Sequence, residues 1–275
     1  FFDLENFDFG MICYFFAVVG FWGSLVFYNS YLPDIANENQ QDITSAKGYS
    51  MGYLGSIILL IICLFLTQFP NFFLIANKTE AVKLSFVLVG IWWFVFSHYT
   101  FHYLPGKEHY NTKKTSLFTR KTLFSGIRQL MDVLKQLKAN NNLKVFLFSF
   151  FIFTIPTQTI ILLASYFGAD MNEINWSSQE SMQTGLIIAI IVIQILAAIG
   201  AFLAAKLSIY FGNVKTLIFI NIIWCLICLF GFFVTEPIEF YIAAAFIGVG
   251  MGAIQSLSRS TFSKLIDVKN STSYF

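Results

Sequence analysis

Three groups of polar side chains in this sequence could bind or transform something, and all three sit in uncharged stretches. Ser24, Tyr28, Asn29 and Ser30 form the first. Thr154, Thr157, Gln158 and Thr159 surround Pro156 in the second, and Gln255, Ser256 and Ser258 form the third, which ends on Arg259. Hydroxyls, amides and a phenol can hold a solute by hydrogen bonds, but a nucleophile also needs a base beside it. Ser24 and Ser256 have no histidine nearby in sequence, His109 lies in a loop, and there is no Gly-rich phosphate loop. No catalytic residue, cofactor or nucleic-acid partner is expected.

Metal chemistry is equally poorly supplied. His98 and His102 are four residues apart on one helical face, but Tyr99 and Tyr103 beside them read as an aromatic belt at a membrane interface. Cys225 and Cys228 have CxxC spacing without a second pair and read as apolar packing. No metal site is expected. The uncharged stretches hold no carboxylate, so proton coupling through a buried Asp or Glu is not expected from this part of the chain.

The elements that must position these groups follow from composition. Of 275 residues, 57% are hydrophobic and 12% charged, against roughly 25% charged in soluble domains. A spanning helix needs about 20 apolar residues, and a charge at mid-membrane costs roughly 2.5–3.5 kcal/mol. Runs without Asp, Glu, Lys or Arg cover 10–32, 48–69, 84–106, 145–169, 181–205, 216–235 and 240–258. The fold class is an all-α polytopic membrane protein with these seven runs as spans. Pro33, Pro70 and Pro105 follow the first three, where helices stop. Ser177 and Glu180 have capping-box spacing before the fifth. Pro156 is expected to break the fourth helix and free backbone carbonyls for a solute.

Charge sets the orientation. With the N-terminal end outside, all of the 17 lysines and arginines except Lys78 and Lys83 fall at inner loops and ends. Residues 107–144 form a basic cytoplasmic connection, with Leu123, Ile127, Leu130, Leu134 and Leu137 at helical spacing and Lys121, Arg128, Lys135 and Lys138 on the other face. An amphipathic surface helix is expected there. It divides 1–106, the end of a first bundle, from 145–275, the start of a second. Small residues at Gly48, Gly52 and Ser56, and at Ala244, Gly248 and Gly252, predict close helix packing. The chain opens on Phe1 with acidic residues and no signal peptide, and is read as a fragment cut at both ends.

Three stretches carry a resemblance. They are GFWGSLVFYNSYLPDIA (20–36) followed by GYSMGYLG (48–55), then Gln158-Thr159 with Tyr166-Phe-Gly168, then GMGAIQSLSRSTFSK (250–264). Together they resemble the branch of the major facilitator superfamily called the unknown major facilitator family, which includes fungal vacuolar effluxers linked to autophagy. The resemblance covers essentially the whole chain. It implies that the seven spans are the fourth to tenth of twelve. It also implies a monomeric secondary transporter of small organic solutes, working by alternating access with a possible coupling ion. Amino-acid efflux is the substrate lead. In that superfamily the first, fourth, seventh and tenth helices line the cavity, and the last three correspond to the polar-rich spans here. The cavity candidates are therefore Ser24, Tyr28, Asn29, Thr154, Thr157, Gln158, Thr159, Gln255 and Ser256. Asp34 and Arg259, just beyond the cytoplasmic ends of two such spans, are the candidates for an inner gate.

The chain also departs from the family. The superfamily's acidic loop position falls on Ile209, so a charge-paired gate at 205–215 is not expected, and Phe153-Thr-Ile-Pro156 replaces a Tyr-Asn-Asp-Gly run. The expected setting is the lipid bilayer of a bacterial inner (plasma) membrane, with the central loop and C-terminal end cytoplasmic. A seven-helix receptor and a membrane-embedded enzyme are the alternatives. A receptor enlarges a different loop, a retinal protein needs a lysine in the last span, and an enzyme needs clustered acid–base groups; this sequence has none of these.

Overall fold

A computed structural model of the chain describes residues 7–104, 126–128, 130–131, 133–135, 140–266 and 274. Long helices dominate: α1 (Phe7–Ser30), a short α2 (Leu32–Ile35), α3 (Gln41–Gln68), α4 (Lys78–Tyr103), α5 (Asn141–Gly168), α6 (Gln179–Phe211), α7 (Asn213–Gly231) and α8 (Pro237–Leu265). All but α2 are long and apolar enough to cross a membrane. The chain is an all-α polytopic membrane protein, with no strand among the described residues.

The helices outrun the uncharged runs. Asp42 and Lys47 lie on α3, Lys206 on α6, and Arg259 and Lys264 on α8. The physical reason is that backbone hydrogen bonding does not stop where hydrocarbon does. A helix of 29 residues, such as α8, is about 43 Å long against a hydrocarbon core of about 30 Å. Pro156 does not break its helix: α5 runs unbroken from Asn141 to Gly168. Proline withholds one N–H from the ladder, and the neighbouring hydroxyls of Thr157 and Thr159 bond back to Phe153 and Ile155 carbonyls on the same helix (2.8 and 2.9 Å).

Caps are local and specific. Asn77 accepts from Glu80 N–H to start α4, and Asn140 from Leu143 N–H to start α5. The cap of α6 is Ser178, which accepts from Ser181 N–H, in place of the expected Ser177 and Glu180. The capping box belongs to α8, where the Glu236 and Glu239 side chains each accept from the other's backbone N–H and Pro237 takes the first helical position.

Backbone contacts divide the chain into two compact units, Phe1–Gly23 with Ile58–Asp132 and Ser24–Ile57 with Val133–Phe275. In the first, Phe21 and Trp93 rings meet at 5.8 Å, and α1 and α4 present Phe15, Phe16, Phe94 and Phe101 outward. Such surface suits hydrocarbon.

In the second unit, α6 and α8 make the closest backbone approach. A Cβ at Gly252 would collide with the Ala197 carbonyl, and one at Gly200 with that of Val249. Without a hydrophobic drive between helices in lipid, such contact supplies the packing that holds them. The expected stripe of Ala244, Gly248 and Gly252 thus faces α6. The other stripe differs. Gly48 lies under side chains, but nothing comes within 4 Å of a Cβ at Gly52, and Ser56 is exposed with its hydroxyl on Tyr53's carbonyl. Trp224 of α7 covers Gly250, where a Cβ would come within 3.1 Å of its ring, and with Leu217, Ile220, Ile247 and Leu257 it forms the main core. At the other end of α8, Trp176 donates its indole N–H to the Gly168 carbonyl (2.9 Å).

Of the expected amphipathic segment, Leu123, Leu137, Lys121 and Lys138 lie outside the described residues. Ile127, Leu130 and Leu134 are helical and exposed.

Candidate functional site

Polar groups concentrate where the first turns of α3 meet the last turns of α8 and the junction of α6 with α7. The junction is tight because Gly212 takes a left-handed φ of 81°. That turn sets Ser208 and Asn213 beside α3. Three layers follow along α8.

The outermost layer is an ion pair. Asp42 Oδ2 receives Lys264 Nζ at 2.7 Å. Asn213 Nδ2 donates to Asp42 Oδ1 (2.8 Å) and to Thr261 Oγ1 (3.1 Å), while its Oδ1 accepts from Lys264 (3.2 Å). Ser208 Oγ lies 3.0 Å from Asp42 Oδ2. The Asp42 and Lys264 side chains are only 8% and 21% exposed. Desolvating both charges is costly, and these surrounding hydrogen bonds offset that cost.

The middle layer is Arg259, 7% exposed. Its guanidinium carbon stands 4.3 Å over the Tyr28 ring centroid and 5.9 Å from that of Tyr49, a cation–π arrangement. Gly48 lies beneath; a Cβ there would sit 3.6 Å from Nη1 and 2.7 Å from the Tyr28 hydroxyl. Among the described residues no acceptor reaches Arg259 Nε or Nη1, and no carboxylate pairs with it.

The inner layer pairs Tyr53 Oη with Gln255 Oε1 at 2.8 Å. Ser45 Oγ donates to the Ser256 carbonyl (2.7 Å), and Ser50 Oγ to that of Ala198 on α6 (3.0 Å).

The sequence candidates divide accordingly. Tyr28, Arg259, Gln255 and the backbone of Ser256 come together, while the Ser256 hydroxyl bonds back to Gly252 (2.7 Å). Asn29 is half-buried, with its Oδ1 out of solvent and no donor to it among the described residues; Ser24 is half-buried too. The α5 group does not join. Thr154 is half-buried, Thr157 is buried, and Gln158 and Thr159 are exposed. Asp34 is exposed and makes no ion pair among the described residues.

Sequence reading missed Asp42, Lys264, Ser208, Asn213, Tyr49 and Tyr53. The loop at 205–215 does join a charge pair although Ile209 replaces the acidic residue, because the two charges come from α3 and α8. A signal did exist: Asp42 and Lys264 each lie within seven residues of an uncharged run's end, inside the reach of a helix that continues past it.

The family model described as "Vacuole effluxer Atg22 like" matches residues 1–275. The chain is 27% identical over 267 residues to the MFS-type transporter YxiO of Bacillus subtilis, covering 96% of this chain and 59% of that protein. It is 24% identical over 276 residues to autophagy-related protein 22 of Eremothecium gossypii, covering 90% and 52%. With its counterpart in Saccharomyces cerevisiae it shares 24% over 279 residues, covering 90% and 50%. The chain thus spans half to three-fifths of the length of these curated relatives. No solved structure matches it. The chain belongs to the Atg22-like vacuole effluxer family.

Proposed function

We propose that this member of the Atg22-like vacuole effluxer family is part of a secondary active transporter that moves a small organic solute by alternating access. Its membrane is a bacterial plasma membrane, with the Lys264 end of α8 cytoplasmic; the positive-inside bias and the higher identity to the Bacillus relative support this. The cavity is lined by Tyr28, Asn29, Gln255 and their neighbours.

The carrying observation is the buried Asp42–Lys264 pair with its Asn213 and Ser208 bonds. A charge pair of this kind closes one end of a helical assembly firmly, yet it can separate without leaving bare charges, because water reaches each partner once the seam parts. In this reading it latches the cytoplasmic side shut while Arg259, one layer deeper, waits behind it. Asp34, the other sequence candidate for the inner gate, is exposed and lies outside this ion pair.

The test is counterflow in vesicles carrying the full-length protein, loaded with a pool of amino acids and other small organic acids. Exchange of at least one solute above empty vesicles is expected, and Asp42→Asn should slow it. Vesicles that exchange nothing, or a variant with wild-type flux, would refute the proposal.

A further inference from the structure

Arg259 is the one described cation within the helical assembly that is buried and has no acceptor. Lys264, about 7 Å further along the same helix, is neutralised by Asp42, and Lys47 is exposed. Arg259 is 7% exposed as a residue, and Nε and Nη1 are sealed from solvent with no acceptor among the described residues. A desolvated donor of this kind is costly to leave unmatched. Tyrosine faces stabilise its charge but accept no hydrogen bond in the guanidinium plane.

We infer that Arg259 is the anchor for a carboxylate on the transported solute, with Tyr28 covering it and the missing Cβ of Gly48 letting both side chains lie close against α3. The inference rests on the transporter reading. Charge selects the ligand class. One guanidinium balances one negative charge, and among the described residues no second buried cation lies in the layer, so a monoanionic carboxylate is matched where a phosphate dianion would carry an unbalanced charge out of water. The aromatic walls of Tyr28 and Tyr49 suit an apolar remainder on that solute. Entry requires Tyr28, 41% exposed, to swing from the guanidinium face.

The experiment compares counterflow of amino acids, benzoate and phenylacetate with that of their amides, using the full-length protein in vesicles. The wild type should move at least one acid about tenfold or more faster than its amide. Arg259→Gln should abolish that preference. Arg259→Lys, which keeps the charge without the planar donors, should restore part of it. Elution as a single species by gel filtration establishes that each variant is folded. Equal movement of acid and amide by the wild type overturns the carboxylate anchor and leaves the transporter standing. So does a preference that survives in Arg259→Gln, as it would if the rest of the full-length protein supplied the partner. Vesicles that move no solute of any kind overturn the transporter reading itself.

Discussion

Replacing Lys264 by Met should loosen the proposed cytoplasmic latch by a calculable amount. Removing one partner from a buried ion pair costs about 3–5 kcal/mol when the remaining charge is left fully desolvated. Here the remaining carboxylate is less isolated. Asn213 and Ser208 still hydrogen-bond it, and the 21% exposure of Lys264 already admits solvent near it. About 2 kcal/mol is the expected loss, equivalent to about a thirtyfold shift from closed toward open. Ser45, fully buried one turn inside Asp42, reports it. In a full-length background without other cysteines, Ser45→Cys should react with an impermeant maleimide from the cytoplasmic face about thirtyfold faster when Lys264→Met is added. Adding Asp42→Asn to Lys264→Met should cost less than the two single losses together, because it removes the stranded charge. Unchanged labelling, or losses that simply add, would refute the latch.

Two contrasts check the rest of the packing. Gly252→Leu drives a side chain into the Ala197 carbonyl, and should cost about 3 kcal/mol or more, seen as loss of the monodisperse species on gel filtration and a lower melting temperature. Gly52→Ala, where a Cβ meets nothing within 4 Å, should leave melting unchanged or slightly raised. Asp34→Asn should give wild-type maleimide labelling at Ser45→Cys, because Asp34 is exposed and outside the ion pair.

The spans were legible because water is missing from the bilayer interior: every uncharged run became a helix, since only helices and closed barrels satisfy a backbone there. The same criterion hid the latch. A search for uncharged windows discards the turns beyond them, and those turns hold Asp42, Ser208, Asn213 and Lys264. Arg259 was legible because it closes a polar run, but the rings that cover it were not. Tyr28 and Tyr49 lie on other helices, and only the packed geometry brings them over the guanidinium. Pro156 misled for a different reason. Proline removes one N–H bond, to the carbonyl four residues back, and a 28-residue helix keeps the rest of its ladder.

The two seams of α6 and α8 differ in kind, and that difference predicts which one opens. Between α6 and α8 the contact is backbone on backbone through Gly200, Gly248 and Gly252, too close for water to enter without the helices separating. The first turns of α3 meet both helices otherwise, through hydroxyls on carbonyls from Ser45 and Ser50, the Asp42 cluster, and the small Ala46 against Ala201 and Ala205. Each such hydrogen bond is worth about 1 kcal/mol net and can be exchanged for water when the seam parts. The α3 seam should therefore open while the α6–α8 seam stays shut. Ala46→Leu tests this. Ala46 is fully buried, and the added bulk should prop the α3 seam apart, raising labelling at Ser45→Cys at least as much as Lys264→Met does. The melting temperature should fall far less than with Gly252→Leu. If Ala46→Leu instead unfolds the protein as Gly252→Leu does, the α3 seam is part of the permanent core and cannot be the moving one.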